Sequence, residues 1–357
     1  MRRLPIYFLV DVSESMAGQN LHMLQDGIGE TIRRLRTDPY ALETAFVSVV
    51  VFAGKAKTIM PLTELPSFHT PELPVGGGTS LGLALDHIMT EMDRNLVKTT
   101  AERKGDWQPF IFLLTDGHPT DNTSAAELRW NQDFRSRVNL VAVSVGGGAD
   151  HAMLKRLTDD VMVFDDKAPE AFTHLIDWIT RSIGSLVSSV QAGQDRGVNL
   201  AKGREGLLER IERPHVISPD TGIDDRFAVF IGKCSKSKLP YLVKYERHFG
   251  EIETSDTELS RLFRTKRYAL SGAVQVKNSY FELSDEKSTE QSVTSDELAG
   301  QPNCPHCNAP FGMAICACGK IHCVEGEGPQ TCPWCGNTGM YGSTSAGDEL
   351  KIGRQRG

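Results

Sequence analysis

The sequence predicts a doubly wound α/β domain with a mostly parallel sheet, followed by a small β-rich module and a cysteine-rich C-terminal ribbon. Three observations predict it. Up to about residue 190, apolar runs of strand length alternate with amphipathic helical stretches. Beyond that point short strands punctuated by Gly and Pro take over. Seven of the eight cysteines then crowd between Cys304 and Cys335.

The first strand is Ile6 to Val10. Met1-Arg2-Arg3 ahead of it resembles a signal peptide, but Asp11 cuts the apolar run far short of an h-region, so it reads as a buried strand. Leu21 to Leu35 follows as a helix, with Leu21, Leu24, Ile28, Ile32 and Leu35 at steps of three and four. Phe46 to Phe52 pairs in a hairpin with Lys57 to Met60, and Leu81 to Met92 repeats the helical spacing. Phe110 to Leu114, Leu140 to Val145 and Val161 to Phe164 complete the strands, and Glu170 to Val190 is a last long helix. Nearly continuous apolar strands are those covered on both faces.

Residues 1–190 therefore form the first domain. A β-rich middle module, 205–284, carries strands at Phe227 to Ile231, Tyr241 to Tyr245, Tyr268 to Val276 and Tyr280 to Leu283. Residues 285–302 hold almost no large apolar side chain and read as a flexible linker. The cysteine module occupies 303–341, and the Gly- and Ser-rich tail, 342–357, reads as disordered.

The 357 residues are about twice the usual size of a domain. A charge of -7, with 39% apolar and 24% charged residues, argues against a general nucleic-acid binder, which needs a basic face. No run approaches the roughly eighteen apolar residues of a spanning helix, so a soluble protein without a membrane partner is expected. Cysteines in close pairs suit thiolates gathered around metal in a reducing compartment, which implies a cytoplasmic location.

Ligands of open parallel sheets gather beyond the carboxyl ends of the strands. Asp11, Ser13 and Ser15 lie just past the first strand in "DVSES", Asp116 just past another in "LLTDGHPTD", and Thr79 in "GGGTSLG" directly before a helix. Two carboxylates and three hydroxyls from three loops are hard donors that favour Mg²⁺, Mn²⁺ or Ca²⁺. They cannot saturate the ion, so a partner's carboxylate suits the vacant position. Taken singly, D-x-S-x-S also fits a turn with helix-capping side chains, and Asp116-Gly117 an ordinary turn. Asp121 reads as a cap for a helix starting near Ser124, with a hydrogen-bond acceptor behind the site as the alternative, Asp86 and Asp93 read as solvated, and His118 as an exposed loop residue.

These three segments resemble the metal-ion-dependent adhesion site of von Willebrand factor A domains, over roughly the first half of the chain. The resemblance implies that Asp11, Ser13, Ser15, Thr79 and Asp116 hold the ion directly or through water, and that a partner's Glu or Asp fills the sixth place.

In the ribbon, Cys304/Cys307 and Cys332/Cys335 form two C-P-x-C turns that can complete one tetrahedral zinc shell. Cys316, Cys318, His322 and Cys323 between them offer a second, so one or two zinc ions are expected; interleaved pairings fit the same spacing. His306 and Cys234 read as bystanders. Lys320 and Trp334 do not make a nucleic-acid surface. An A domain followed by "AICACGKIHC" and "CPWCG" resembles the TerY-type proteins of bacterial tellurium-resistance and stress-response systems, which end in a TerY-C metal-binding domain. That resemblance implies a non-catalytic scaffold associated with a protein kinase and a PP2C-type phosphatase. The alternatives are a metal-dependent phosphohydrolase and nucleic-acid binding through the ribbon.

Overall fold

The computed structural model describes residues 2–146, 148–164, 171–191, 208–211, 226–249, 266–285, 292–342 and 351–354. The chain divides into two units, Met1–Leu73 with Thr79–Gly222, and Pro74–Gly78 with Ile223–Gly357. Among the described residues no helix is long and apolar enough to cross a membrane.

In the first unit, the apolar runs become β1 (Leu4–Asp11), β2 (Ala45–Phe52), β4 (Phe110–Thr115), β5 (Asn139–Val145) and β6 (Asp160–Phe164), with β3 (Ala56–Glu64) and β7 (Leu208–Arg210) at the edges. The sheet order is β3-β2-β1-β4-β5-β6-β7. The inner five strands run parallel, while β3 and β7 pair antiparallel with their neighbours. Helices α1 (Gln19–Leu35), α2 (Pro39–Thr44), α3 (Leu81–Asn95), α4 (Ser124–Arg129), α5 (His151–Leu157) and α6 (Ala171–Gln191) connect or flank the strands.

Side chains alternate along β1 and bury both faces. Tyr7 and Leu9 share a core with Leu81, Leu85, Ile88, Met89 and Met92 of α3. Phe8 points the other way and stacks on Phe112, whose ring meets Trp178 of α6 edge-on at 6.4 Å. With both faces filled, the carboxyl ends of β1 and β4 are where polar groups can collect.

The second unit corrects the expected boundaries. Strands β8 (Phe227–Lys233), β9 (Pro240–Phe249) and β10 (Lys266–Gln275) do not form a module apart from the ribbon. They share one sheet, ordered β12-β10-β9-β8-β14-β13, with β12 (Leu298–Ala299), β13 (Phe311–Ile315) and β14 (Ile321–Val324). The segment expected to be a linker supplies β12 and β11 (Ser292–Thr294), and the tail supplies β17 (Lys351–Gly353), which pairs with β11. Single apolar anchors explain both: Val293 and Ile352 are buried in the core around Phe230, Tyr241 and Tyr245, although their polar neighbours hide them in any average. Residues 286–291, 343–350 and 355–357 of those two segments lie outside the described residues.

Two further expectations change. Tyr280 to Leu283 is helical, as α7 (Ser279–Leu283), burying Tyr280 and Leu283 while leaving Phe281 exposed. The strand β7 belongs to the first sheet, past the expected end of that domain at residue 190. The remaining strands, β15 (Gly328–Thr331) and β16 (Thr338–Tyr341), form a hairpin of their own.

Candidate functional site

Asp11 ends β1 and Asp116 follows β4, its parallel neighbour, so the two carboxylates leave the sheet side by side. Asp11 is held from both sides: Ser13 N–H donates to Oδ1 at 2.9 Å, and the Thr115 hydroxyl donates to Oδ2 at 2.6 Å. The Ser15 hydroxyl donates to Asp116 Oδ1 at 2.7 Å. Its only proton is thereby used, so the 2.9 Å contact between Ser13 and Ser15 is one in which Ser13 donates.

Thr79 enters from the loop before α3. Its N–H donates to the Thr120 hydroxyl at 2.9 Å, and Thr120 N–H donates back to the Thr79 carbonyl at 2.8 Å. The Thr79 hydroxyl and the Asp11 carboxylate flank Gly117, where an added Cβ would lie 3.5 and 3.9 Å from them. The structure thus brings Asp11, Ser13, Ser15, Thr79 and Asp116 into one cluster. All five are buried.

Burial is what makes the cluster chemically pointed. Two carboxylates withdrawn from water disfavour each other's charge, and burial followed by Asp116 pushes Asp11 up to about 7. A divalent cation would reverse that by compensating both charges. The residues fit such an ion by donor type, since every one offers oxygen.

Asp121 is not the cap of α4. Its carboxylate accepts from Gly82 and Leu83 N–H, at 3.2 and 3.0 Å, and so caps α3. The helix that follows Thr79 is therefore tied to the loop that carries Asp116. Asp86 and Asp93 pair with Arg129 at 3.3 and 3.4 Å on the outside of the unit. Thr115 and Thr120, which hold Asp11 and Thr79, were not singled out from sequence because a lone Thr carries no motif.

The cysteines regroup. Cys234, Cys304, Cys307 and Cys323 have sulfurs all within 4.8 Å of one another, and so do Cys316, Cys318, Cys332 and Cys335. The expected shell of Cys304, Cys307, Cys332 and Cys335 is thus split between two clusters, and the pairing interleaves along the ribbon. Cys234, expected to be a bystander, completes the first cluster. His322 belongs to neither: its Nε2 meets the Tyr341 hydroxyl at 2.7 Å. His306, also no ligand, bonds the Pro240 carbonyl.

The turn geometry explains why Cys234 qualifies. The carbonyls of Cys234, Cys304 and Cys332 each accept the N–H four residues on, from Lys238, Asn308 and Gly336. Those three residues have φ of 61°, 59° and 77°, a left-handed conformation that closes a tight loop around the sulfur. "CSKSK" therefore makes the same loop as "CPHCN" and "CPWCG", with Ser237 where the second thiol would stand. The signal available in the sequence was arithmetic: eight cysteines make two sets of four. Two clusters of four cysteines fit two zinc sites. The first is largely buried, whereas Cys318 and Cys335 of the second are exposed.

The von Willebrand factor type A domain family model matches residues 6–178, and the TerY-C metal binding domain model matches residues 224–357. Among curated proteins none matches the chain. Solved structures similar to it include proximal thread matrix protein 1 from the mussel byssus, at 18% identity over 51% of this chain and 48% of that one, with a TM-score of 0.38. The same mussel protein with a zinc-occupied MIDAS motif gives 19% identity, 50% and 46% coverage and a TM-score of 0.37. A von Willebrand factor type A protein from Catenulispora acidiphila gives 18%, 52% and 43%, and 0.37. The chain spans less than half the length of these three. It is the two family matches that identify the chain, as a von Willebrand factor type A domain followed by a TerY-C metal binding domain.

Proposed function

We propose that the chain is a metal-dependent protein-interaction scaffold, non-catalytic, in which Asp11, Ser13, Ser15, Thr79 and Asp116 hold Mg²⁺ and a partner protein completes the shell with a Glu or Asp. The observation that carries this reading is the buried pair Asp11 and Asp116 at the carboxyl edge of a parallel sheet, with the Ser15 hydroxyl donating to Asp116 at 2.7 Å and lying 2.9 Å from the hydroxyl of Ser13, whose N–H holds Asp11. Two carboxylates and three hydroxyls do not fill the coordination of a divalent ion, so a further oxygen ligand is favoured, and a partner's carboxylate supplies one.

The TerY-C match supports placing this scaffold in a bacterial tellurium-resistance or stress-response complex, with a protein kinase and a PP2C-type phosphatase as the partners to test first. Eight cysteines without a disulfide support a reducing, cytoplasmic setting.

Partner capture by the zinc-replete chain, with and without Mg²⁺, compared with Asp11→Ala, tests the reading. Recovery should require both Mg²⁺ and Asp11, with zinc content constant across the samples. Equal recovery in all three would rule out docking through the ion.

A further inference from the structure

The two sulfur clusters differ in what solvent can reach. Cys234, Cys304 and Cys323 are buried and share the core of Phe230, Tyr241 and Tyr245. In the second cluster Cys316 and Cys332 are buried, whereas Cys318 and Cys335 are exposed. Its thiols come from two turns, Cys316 with Cys318 after β13, and Cys332 with Cys335 between β15 and β16. Across those turns each exposed sulfur meets a buried one: Cys318 lies 3.9 Å from Cys332, and Cys335 lies 3.8 Å from Cys316.

An exposed thiolate beside a sheltered second thiol is the arrangement in which peroxide oxidation stops at a reversible stage, because the second sulfur captures the first oxidation product. The surroundings add to this. Lys233 and Lys320 stand over the Trp334 ring, 5.1 and 5.8 Å from its centroid, so positive charge borders the turn that carries Cys335. Cysteines in a solvent-open, positively charged setting are the reactive ones, and buried ones are inert. At the first cluster three of the four sulfurs are closed off in this way.

We propose that the second cysteine cluster is a modification site for hydrogen peroxide, at which oxidation replaces zinc by a disulfide across the two turns while the first cluster stays reduced. An exposed thiolate, Cys318 or Cys335, attacks the peroxide; the O–O bond breaks, a sulfenic acid forms and hydroxide leaves. The buried thiolate opposite, Cys332 or Cys316, then attacks that sulfur; the S–S bond forms, the S–O bond breaks and a second hydroxide leaves. Two thiolates have lost two electrons, and the peroxide has taken them up. With two of its four ligands spent, the site no longer holds zinc. The new bond joins the turn after β13 to the turn of the β15–β16 hairpin, so the hairpin stays tied to the larger sheet. The proposal rests on both clusters holding zinc.

The test treats the zinc-replete full chain with hydrogen peroxide, removes small molecules, and reads zinc by elemental analysis and disulfides by peptide mapping. Zinc should fall from two ions per chain to one. The disulfides should be Cys318 to Cys332 or Cys316 to Cys335, with Cys234, Cys304, Cys307 and Cys323 still reduced. A sulfenic-acid trap present during brief treatment should label Cys318 or Cys335 and neither buried thiol of that cluster. Dithiothreitol with added zinc should restore two ions. Loss of both ions together, retention of both with all eight thiols reduced, or a trap on Cys316 or Cys332 would overturn the proposal. So would disulfides within one turn, Cys316 to Cys318 or Cys332 to Cys335. Fewer than two zinc ions in the untreated chain would instead overturn the two-site reading, and the proposal with it.

Discussion

At the scale of single residues, Asp11 is the group whose chemistry decides the oxygen cluster. Burial and the neighbouring Asp116 raise its pKa from the ordinary carboxylate range to about 7. A raised carboxylate pKa in the folded state means that the metal-free fold is favoured at low pH and loses that advantage as pH rises from about 4 through 7. Cation binding needs the charged form, so the sign for the ion is opposite. The thermal shift produced by Mg²⁺ should therefore be small near pH 5.5 and grow through pH 8, as followed by scanning fluorimetry at constant zinc. The Thr115 hydroxyl, at 2.6 Å from Asp11, orients the carboxylate, and Thr115→Val should weaken Mg²⁺ binding about 10-fold in calorimetric titration while the fold persists.

At the scale of elements, α3 connects the site to the core. Its apolar stripe lies in the core shared with β1, β2 and β4, while its first turn is capped by Asp121 from the loop after β4. Asp121→Ala should cost about 1 kcal/mol, read as a lowered denaturation midpoint. Gly82→Ala should cost more, because the new Cβ would stand 2.8 Å from the Asp121 carboxylate and 2.9 Å from the Asn122 carbonyl. What the sequence revealed follows from how local each signal is. The period of α1 and α3, the continuous apolar strands and the three oxygen-bearing loops are written in consecutive residues. Asp121 was assigned to the nearer helix because a cap supplied from about forty residues away leaves no spacing to read. The turn at Cys234 lies seventy residues before the ribbon in sequence, and only sheet pairing between β8 and β14 brings it there. The polar stretch at 292–299 has three apolar anchors at most, too few for composition to betray a strand.

At the scale of the whole molecule, two units carry two kinds of donor set, hard oxygen in the first and cysteine sulfur in the second. The first has a large core built from both faces of its sheet, whereas Cys304, Cys323 and Cys234 are themselves part of the second unit's core. Thiolates gathered in a core repel one another without a cation, so the second unit should depend on zinc for its fold. Calorimetry should show two transitions, and a zinc-selective chelator should abolish one of them while the other persists. Binding of Mn²⁺ to the zinc-replete chain, followed by electron paramagnetic resonance, is the most direct measurement of the oxygen cluster. A single Mn²⁺ ion should be taken up by the wild type and lost in Asp116→Ala with zinc content unchanged; equal uptake by the two proteins would contradict a cation site at Asp11, Ser13, Ser15, Thr79 and Asp116.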